Sequence, residues 1–168
     1  MTGKFELDCS YCGHRHDASY LEVRCERCDG PLIVNTDLSP LKAGSTSGQD
    51  LRDSALPGMW AYFPLLPIAD RSAVVSLGEG NTPLTRAGRL AQDLGIHTLY
   101  LKDETRNPTG SFKDRMLAVG VARACELGKK TIAVQSSGNV AAAAAAYAAK
   151  AGLQAKIFVP RTAPEEKL

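Results

Sequence analysis

Two groups of residues in this chain have the types and spacing of chemical sites. The first is a quartet of cysteines near the N-terminus, formed by two Cys-x2-Cys pairs that twelve residues separate: Cys9, Cys12, Cys25 and Cys28. The second is a single lysine, Lys113, in the segment NPTGSFKDR. Thiolates bind metal ions and a neutral amine attacks carbonyl carbons, so the two groups predict different chemistry.

The cysteine spacing predicts a structural zinc site. Paired knuckles at this separation can bring four thiolates to one tetrahedral Zn2+, as in a zinc ribbon, and leave no open position for a substrate. Gly13 and Gly30 suit the tight turns of such knuckles. The alternatives are two disulfides, which a reducing cytoplasm disfavours, or a ribbon without metal. We expect His14 and His16 to be exposed turn residues, although either has the chemistry to replace a cysteine as ligand.

Lys113 falls in the first turn of a predicted helix. Residues 107–110 have the composition of a turn, Ser111 can cap the helix that follows, and Asp114 can return the hydrogen bond to Ser111. The positive end of the helix dipole, with Arg115 nearby, disfavours an ammonium group, and a neutral amine is what imine formation requires. From this spacing alone, a solvated surface lysine is the alternative.

A second loop repeats this geometry one crossover later. In QSSGNVAAAAAAYAAKAG, a strand leads into two hydroxyls, a glycine and an asparagine, and then into a helix. The backbone N–H groups of that helix start, with Ser136 and Ser137, make an anion site sized for a carboxylate or phosphate; a capped helix that packs through its alanines is the alternative. Both loops follow neighbouring strands of a predicted parallel sheet, so we expect them to open into one crevice.

The order of elements predicts an α/β fold with a mostly parallel open sheet and helices on both faces. Expected strands are AVVSL, HTLYLKDE, TIAVQ and QAKIFVP; expected helices are RAGRLAQDLG, Phe112 to about Leu127, and 140 to about 150. The apolar segment 59–68 should lie across this domain. The predicted divisions are a zinc-ribbon-like module (1–34), a linker (35–58) and the α/β domain (59–168), which we expect to be truncated because a helix start at Thr162 lies so near Leu168.

Composition narrows the classes of function. The 168 residues carry 20 basic and 18 acidic side chains, a formal charge of +2, so no basic stripe indicates nucleic acid or an anionic membrane as partner. No apolar run approaches the roughly 20 residues of a membrane span, and the N-terminus lacks the apolar core of a signal peptide. We therefore expect a cytoplasmic protein with neither a nucleic-acid nor a membrane partner. The pairing of Lys113 with the anion site suits a small-molecule amino-acid substrate.

Three segments resemble successive parts of the threonine synthases, pyridoxal-phosphate enzymes of the tryptophan-synthase β-subunit fold type: LGEGNTPL, LKDETRNPTGSFKDR and SSGNVAAAAAAYAAKAGL. The resemblance implies that Lys113 holds pyridoxal 5'-phosphate as an internal aldimine, that Asn139 hydrogen-bonds the phenolic oxygen of the cofactor, and that Phe112 packs beside its ring. It also implies that the substrate carboxylate is received by one loop, made of Ser136, Ser137, Gly138 and Val140.

The implied reaction converts O-phosphohomoserine to threonine and phosphate. Val140 and Met116 stand where many relatives have a threonine and a glycine. Alternatives are another lyase or synthase of this fold type, such as threonine/serine dehydratase or cysteate synthase, and a non-catalytic zinc-ribbon binding protein; Lys102 is the rival amine. The loop for the cofactor phosphate is expected beyond Leu168, so we expect the 168 residues alone to be inactive and the full-length protein to be a homodimer.

Overall fold

A computed structural model describes residues 5–20, 22–38 and 52–164. Most of the predicted linker, residues 39–51, and the end of the predicted terminal helix, residues 165–168, lie outside the described residues. None of the helices in the described part of the chain combines the length and the apolar character that a membrane span requires.

Residues 5–38, the cysteine module, form a three-stranded antiparallel sheet with two knuckles. Strand β1 (Phe5–Cys9) is central, with β2 (Arg15–His16) on one side and β3 (Leu32–Thr36) on the other. The register of β1 and β3 sets Phe5 opposite Thr36 and Cys9 opposite Leu32. The first knuckle, which begins at Cys9, and the second, which ends just before β3, therefore lie at the same end of the sheet.

Residues 52–164, the α/β body, contain four short strands and three α-helices. In chain order these are β4 (Leu84–Arg86), α1 (Gly88–Asp93), β5 (Tyr100–Lys102), α2 (Lys113–Glu126), β6 (Thr131–Gln135), α3 (Asn139–Ala151) and β7 (Gln154–Phe158). Strands β6 and β7 are parallel and joined through α3, whereas β4 and β5 are antiparallel. The α/β class with open sheets is confirmed.

The strand expected at AVVSL is wrong. Residues Arg71–Ala73 form a 3-10 helix instead, and Val74 is its C-cap. The Asp70 carboxylate accepts hydrogen bonds from the Ser72 backbone N–H, at 2.8 Å, and from the Ser72 hydroxyl, at 2.7 Å. This local capping satisfies backbone groups that a strand would pair elsewhere, so it competes with sheet formation.

The apolar segment 59–68 does lie across the body, as expected. It begins as a 3-10 helix, Gly58–Leu65, and its side chains Trp60 and Ile68 are fully buried. They belong to one apolar core with side chains from both long helices: Met59, Trp60, Phe63, Ile68, Ala73, Leu117, Ala118, Val121, Ala122, Ala143, Ala144 and Tyr147. Small residues on the facing surfaces of α2 and α3 let these helices approach closely.

Candidate functional site

The segment before α2, residues 107–112 or the Lys113 loop, is anchored at its first residue. Asn107 is buried, and its side-chain amide donates to the Glu104 carbonyl oxygen at 2.9 Å and to Glu104 Oε2 at 3.0 Å. Its Oδ1 accepts from the Gly80 backbone N–H at 3.1 Å. Each hydrogen-bonding group of this amide is used, so the loop has a fixed starting point.

The other end of the Lys113 loop is held by Asp114. This carboxylate is fully buried and accepts from the Thr109 backbone N–H at 3.0 Å and the Thr109 hydroxyl at 2.9 Å. The expectation that Asp114 returns its hydrogen bond to Ser111 is wrong, because Gly110, with φ of +76°, turns the chain so that Thr109 meets the helix start. Ser111 Oγ accepts instead from the Lys113 backbone N–H, at 3.1 Å.

Lys113 is the first residue of α2, as predicted, and its amine lies over the ring of Phe112, 4.0 Å from the centroid. The Phe112 ring is 57% exposed. An exposed aromatic ring thus lies next to the Lys113 amine, and hydrogen bonds fix the backbone on both sides of Lys113. Such an arrangement can present a nucleophilic nitrogen to a flat, carbonyl-bearing ligand.

An ion pair that the sequence analysis missed braces this region. Arg115 donates from Nε to Glu104 Oε2 at 2.6 Å and from Nη2 to Glu104 Oε1 at 2.8 Å, and the Thr82 hydroxyl adds a bond of 2.6 Å to Oε1. These hydrogen bonds, led by those from Arg115, lower the pKa of Glu104 to about 2. They also raise the pKa of Arg115. The Glu104–Arg115 ion pair thus joins the residues that lie on either side of the Lys113 loop.

The glycine loop LGEGNT holds a second missed residue, Glu79, which is fully buried. Its carboxylate accepts from the Trp60 indole N–H, from the Tyr147 hydroxyl at 2.8 Å and from the Leu77 backbone N–H at 2.9 Å. Burial, with this carboxylate, raises the pKa of Tyr147, so the phenol remains a donor. The signal in the sequence was an acidic residue between two glycines, which indicates a backbone that must approach something closely.

The close approach is between two backbone segments. A Cβ added to Gly58 would lie 2.1 Å from the Glu79 carbonyl oxygen, and one added to Gly80 would lie 2.4 Å from the Met59 nitrogen. Both glycines also have positive φ, of 60° and 95°. Gly80 of this loop, together with Gly58, therefore serves a chain crossing, whereas a Cβ on Gly78 would meet open space.

Residues 136–140, the serine loop, connect β6 to α3. The Ser136 backbone N–H donates to the Phe158 carbonyl at 3.1 Å, and Ser136 Oγ accepts from the Gly138 N–H at 3.2 Å. Asn139, the first residue of α3, is exposed, whereas Val140 is half-buried and packs against the core. The first N–H groups of a helix have no partner within it, so this turn can accept an anion.

The two loops are linked through packed helices. Asp114 and Tyr147 interact electrostatically across the α2–α3 contact, which raises the pKa of Tyr147 beyond the effect of burial and Glu79. In the described part of the chain, no hydrogen bond or ring contact joins the Lys113 amine to the serine loop. The prediction that both loops open into one crevice therefore stays a prediction.

The cysteine quartet converges in the cysteine module. The sulfur atoms lie within 4.8 Å of one another, with 3.4 Å between Cys9 and Cys28 and 3.8 Å between Cys12 and Cys25. Zinc with Zn–S bonds of about 2.3 Å in a tetrahedron holds its sulfurs about 3.8 Å apart. A Cβ on Gly30 would lie 2.9 Å from Cys9 Sγ. The geometry fits one tetrahedral metal ion, and none of these cysteines forms a disulfide.

The quartet also has the electrostatics of a cation site. Backbone N–H groups, first that of Cys12, lower the pKa of the Cys9 thiol to about 6. Hydrogen bonding to Cys9 raises the pKa of Cys28 to about 12. Four neighbouring thiols cannot all ionise unless a cation compensates their charge, and the quartet is compatible with a metal ion in that role.

The expectation for His16 is wrong. It is buried, 4% exposed, because β2 sets it opposite Leu7 and its ring stacks on Tyr20, with centroids 4.2 Å apart. His16 Nε2 lies 3.4 Å from Cys25 Sγ. His14 is less buried and pairs with Glu26 at 3.3 Å.

The cysteine module contacts the body on α2. The Arg123 guanidinium donates to the Ala18 carbonyl oxygen, lies 5.1 Å from the Phe5 ring centroid and pairs with Glu126. Glu126 in turn accepts from the Ala69 backbone N–H at 2.8 Å. The helix that begins at the predicted cofactor lysine thus ends at the cysteine module.

Comparison with known proteins gives concordant matches. Residues 75–168 match the family described as pyridoxal-phosphate dependent enzyme. The chain is 43% identical over 152 residues to threonine synthase of Methanocaldococcus jannaschii and 41% identical over 156 residues to threonine synthase of Methanosarcina acetivorans. A match of 46% over 99 residues links it to threonine synthase of Halalkalibacterium halodurans.

The coverage of these matches is uneven. The first two include 90% and 93% of this chain, enough to include at least part of the cysteine module, and the third includes 59%. The chain spans 37% of the length of each of the first two relatives and 28% of the third.

Proposed function

The chain belongs to the pyridoxal-phosphate dependent enzymes, and from this premise we propose that the protein acts as a threonine synthase-like lyase. In this proposal it converts O-phosphohomoserine and water to threonine and phosphate in the cytoplasm, as a homodimer. The observation that carries the proposal is the fixed position of Lys113 at the start of α2, beside an exposed aromatic face.

The residues of the site fit the cofactor. The Lys113 amine would hold pyridoxal phosphate through its aldehyde, Phe112 would pack beside the ring, and Asn139 would donate to the phenolic oxygen. Bound cofactor would supply an electron sink for charge that develops on the substrate. Lys113 would then remove and return the proton at the substrate α carbon, which bears the amino group.

The serine loop would hold the substrate. Ser136 and Ser137 would supply hydroxyls, and Gly138 and Val140 backbone groups, to the amino-acid carboxylate, since this turn lies at the start of a thirteen-residue helix. Val140 has no hydroxyl to offer. That side chain favours, as a second candidate, another amino-acid lyase or synthase of the same family.

The cysteine module would carry a structural zinc ion. Cys9, Cys12, Cys25 and Cys28 would all be ligands, which leaves no open coordination position and gives the metal a role in folding rather than in catalysis. The support is the convergence of the four sulfurs and the close fit of Gly30 against Cys9.

The lysine assignment is tested by chemical trapping. Protein treated with pyridoxal phosphate is reduced with borohydride, and the labelled peptide is identified by mass spectrometry. We expect the label on Lys113 and its loss in Lys113→Ala, whereas the matched control Lys102→Ala should be labelled like the wild type. A label that persists in Lys113→Ala would refute the assignment.

The substrate is tested by comparing turnover of O-phosphohomoserine, threonine, serine and O-phosphoserine by the same protein. The proposal expects O-phosphohomoserine to give the highest kcat/KM, with release of phosphate. Preference for any of the other three would support the second candidate and reject threonine synthesis.

A further inference from the structure

Beyond the four cysteines, the second knuckle has a buried polar neighbour that the proposed function leaves without a role, His16. Buried histidines require hydrogen-bond partners, because an unpaired ring nitrogen costs free energy when it is removed from water. The partner of Nε2 is Cys25 Sγ, at 3.4 Å. A sulfur is a weak acceptor as a thiol but a good one as a thiolate, so this contact gains strength when the cysteine is deprotonated.

The orientation of the His16 ring is fixed by packing. The ring lies against that of Tyr20 with a tilt of 32°, and the centroid of the His14 ring lies 4.6 Å from its own, with the two planes at 83°. Tyr20 is itself held by a hydrogen bond of 2.9 Å from its hydroxyl to the Arg24 carbonyl oxygen. The ring therefore cannot turn away from Cys25 without displacing the loop that leads into the second knuckle.

The sulfur itself makes Nε2 the donor, because a thiolate can only accept a hydrogen bond. Glu26 Oε1 lies 3.9 Å from His16 Nδ1 and is already paired with His14 at 3.3 Å. Arg27 Nη1 donates to His14 Nδ1 at 3.4 Å, so His14 presents its other N–H to Glu26. With Glu26 engaged in this way, the short contact of His16 is the one to the sulfur.

Cys25 thereby differs from the other cysteines. Its sulfur accepts from the Arg27 backbone N–H at 3.4 Å, as the Cys9 sulfur does from the Tyr11 backbone N–H, but among the described residues Cys25 is the cysteine of the quartet that also has a side-chain nitrogen, His16 Nε2, within hydrogen-bond distance. Two N–H groups on one thiolate disperse its charge and hold its lone pairs in place. Outer-shell donors of this type orient metal ligands and tune metal affinity.

We propose that His16 is an outer-shell positioning residue that donates an N–H···S hydrogen bond to the Cys25 thiolate and so strengthens metal binding by the quartet. The inference rests on the proposed zinc site and assigns to it a fifth residue, which does not bind the metal. It requires only a proton on Nε2.

The test is zinc affinity, measured by competition with a chromophoric chelator, together with the rate of zinc release. His16→Phe keeps an aromatic ring on Tyr20 but removes the donor, and we expect it to bind zinc about 10- to 100-fold more weakly and to release it faster. His16→Gln restores an N–H donor and should recover part of the loss, which a purely packing role would not produce. His14→Phe, the matched control, should stay close to wild-type affinity.

Two outcomes would overturn the inference without touching the zinc proposal. One is wild-type affinity and release rate in His16→Phe. The other is a spectrum of the Co2+-substituted wild type that shows three sulfurs and one nitrogen, because His16 would then be a ligand. If the wild-type protein binds no zinc, or if Cys25→Ser binds it as well as the wild type, the zinc site itself fails.

Discussion

The cysteine module and the α/β body are stabilised in different ways. The module buries few side chains, Phe5, Cys9, His16 and Cys25, and two of these are cysteines of the quartet. The body has a twelve-residue apolar core that includes the only tryptophan of the chain. A module of this size cannot offset its conformational entropy by apolar burial, so the proposed zinc ion would contribute what the core contributes to the body.

The two regions nevertheless share one helix. Arg123 and Glu126, near the end of α2, contact the cysteine module and the segment before the 3-10 helix Arg71–Ala73, while Asp114 and Arg115 brace its start. If the two regions differ in stability, they should therefore unfold in separate transitions, with α2 as the element that both regions share.

Metal removal should separate the regions most strongly. Chelation, or Cys9→Ser, removes a contribution on the order of 10 kcal/mol from the folding of the cysteine module, so the module should unfold while the body keeps its helices. Protease mapping and amide NMR would show cleavage and loss of dispersion in residues 5–38 only. Cys125→Ser, outside the quartet, is the control. A module that stays folded without metal would contradict the comparison.

Within the body, Tyr147→Phe should have the next largest effect. The change leaves the fully buried Glu79 carboxylate without one of its donors, which we expect to cost about 1–3 kcal/mol of unfolding free energy. Urea unfolding followed by Trp60 fluorescence would measure it. The exposed Tyr100→Phe should change little, and zinc affinity should remain that of the wild type in both variants. A parallel loss of zinc affinity would mean that the regions fold as one unit.

Acid should weaken the body through Glu104, with the smallest effect. Its pKa is lowered from 4.5 to about 2 in the folded state, so its contribution is present above pH 4.5 and is lost as the pH falls towards about 2. The Glu104 side chain is 26% exposed and that of Arg115 is 34% exposed, so solvent screening limits the loss to on the order of 1 kcal/mol. Acid also releases metal from thiolates. Unfolding should therefore be followed by Trp60 fluorescence, which reports on the body alone. Glu104→Gln should flatten this part of the stability profile; an unchanged slope would refute the assignment.

The elements that the sequence predicts well are those with local signals. The strand TIAVQ was predicted at its observed bounds, and α2 and α3 within a residue or so, since periodicity, caps and turn residues lie inside each segment. The convergence of the four cysteines was also predictable, because their spacing along the chain is typical of a tetrahedral metal site. The segment AVVSL does not form the expected strand because Asp70, just before it, caps a 3-10 helix. Apolar content alone does not indicate this helix.

The contacts that the sequence does not predict join residues far apart along the chain. Glu79 meets Tyr147 across 68 positions, and His16 reaches Cys25 only because β2 pairs with β1. Neither contact has a periodic signature. The ion pair of Glu104 and Arg115 could have been predicted, since opposite charges flank the Lys113 loop. However, the sequence does not distinguish a surface ion pair from one that holds a loop in place.

The crossing of Gly58 and Gly80 limits how this protein can be diversified. Where two chain segments pass with no room for one more carbon atom, even alanine would force the strands of backbone apart and tilt Glu79 and Trp60 away from each other. Directed-evolution libraries aimed at new substrates can vary the exposed residues Gly138 and Asn139, but should keep Gly58 and Gly80 constant.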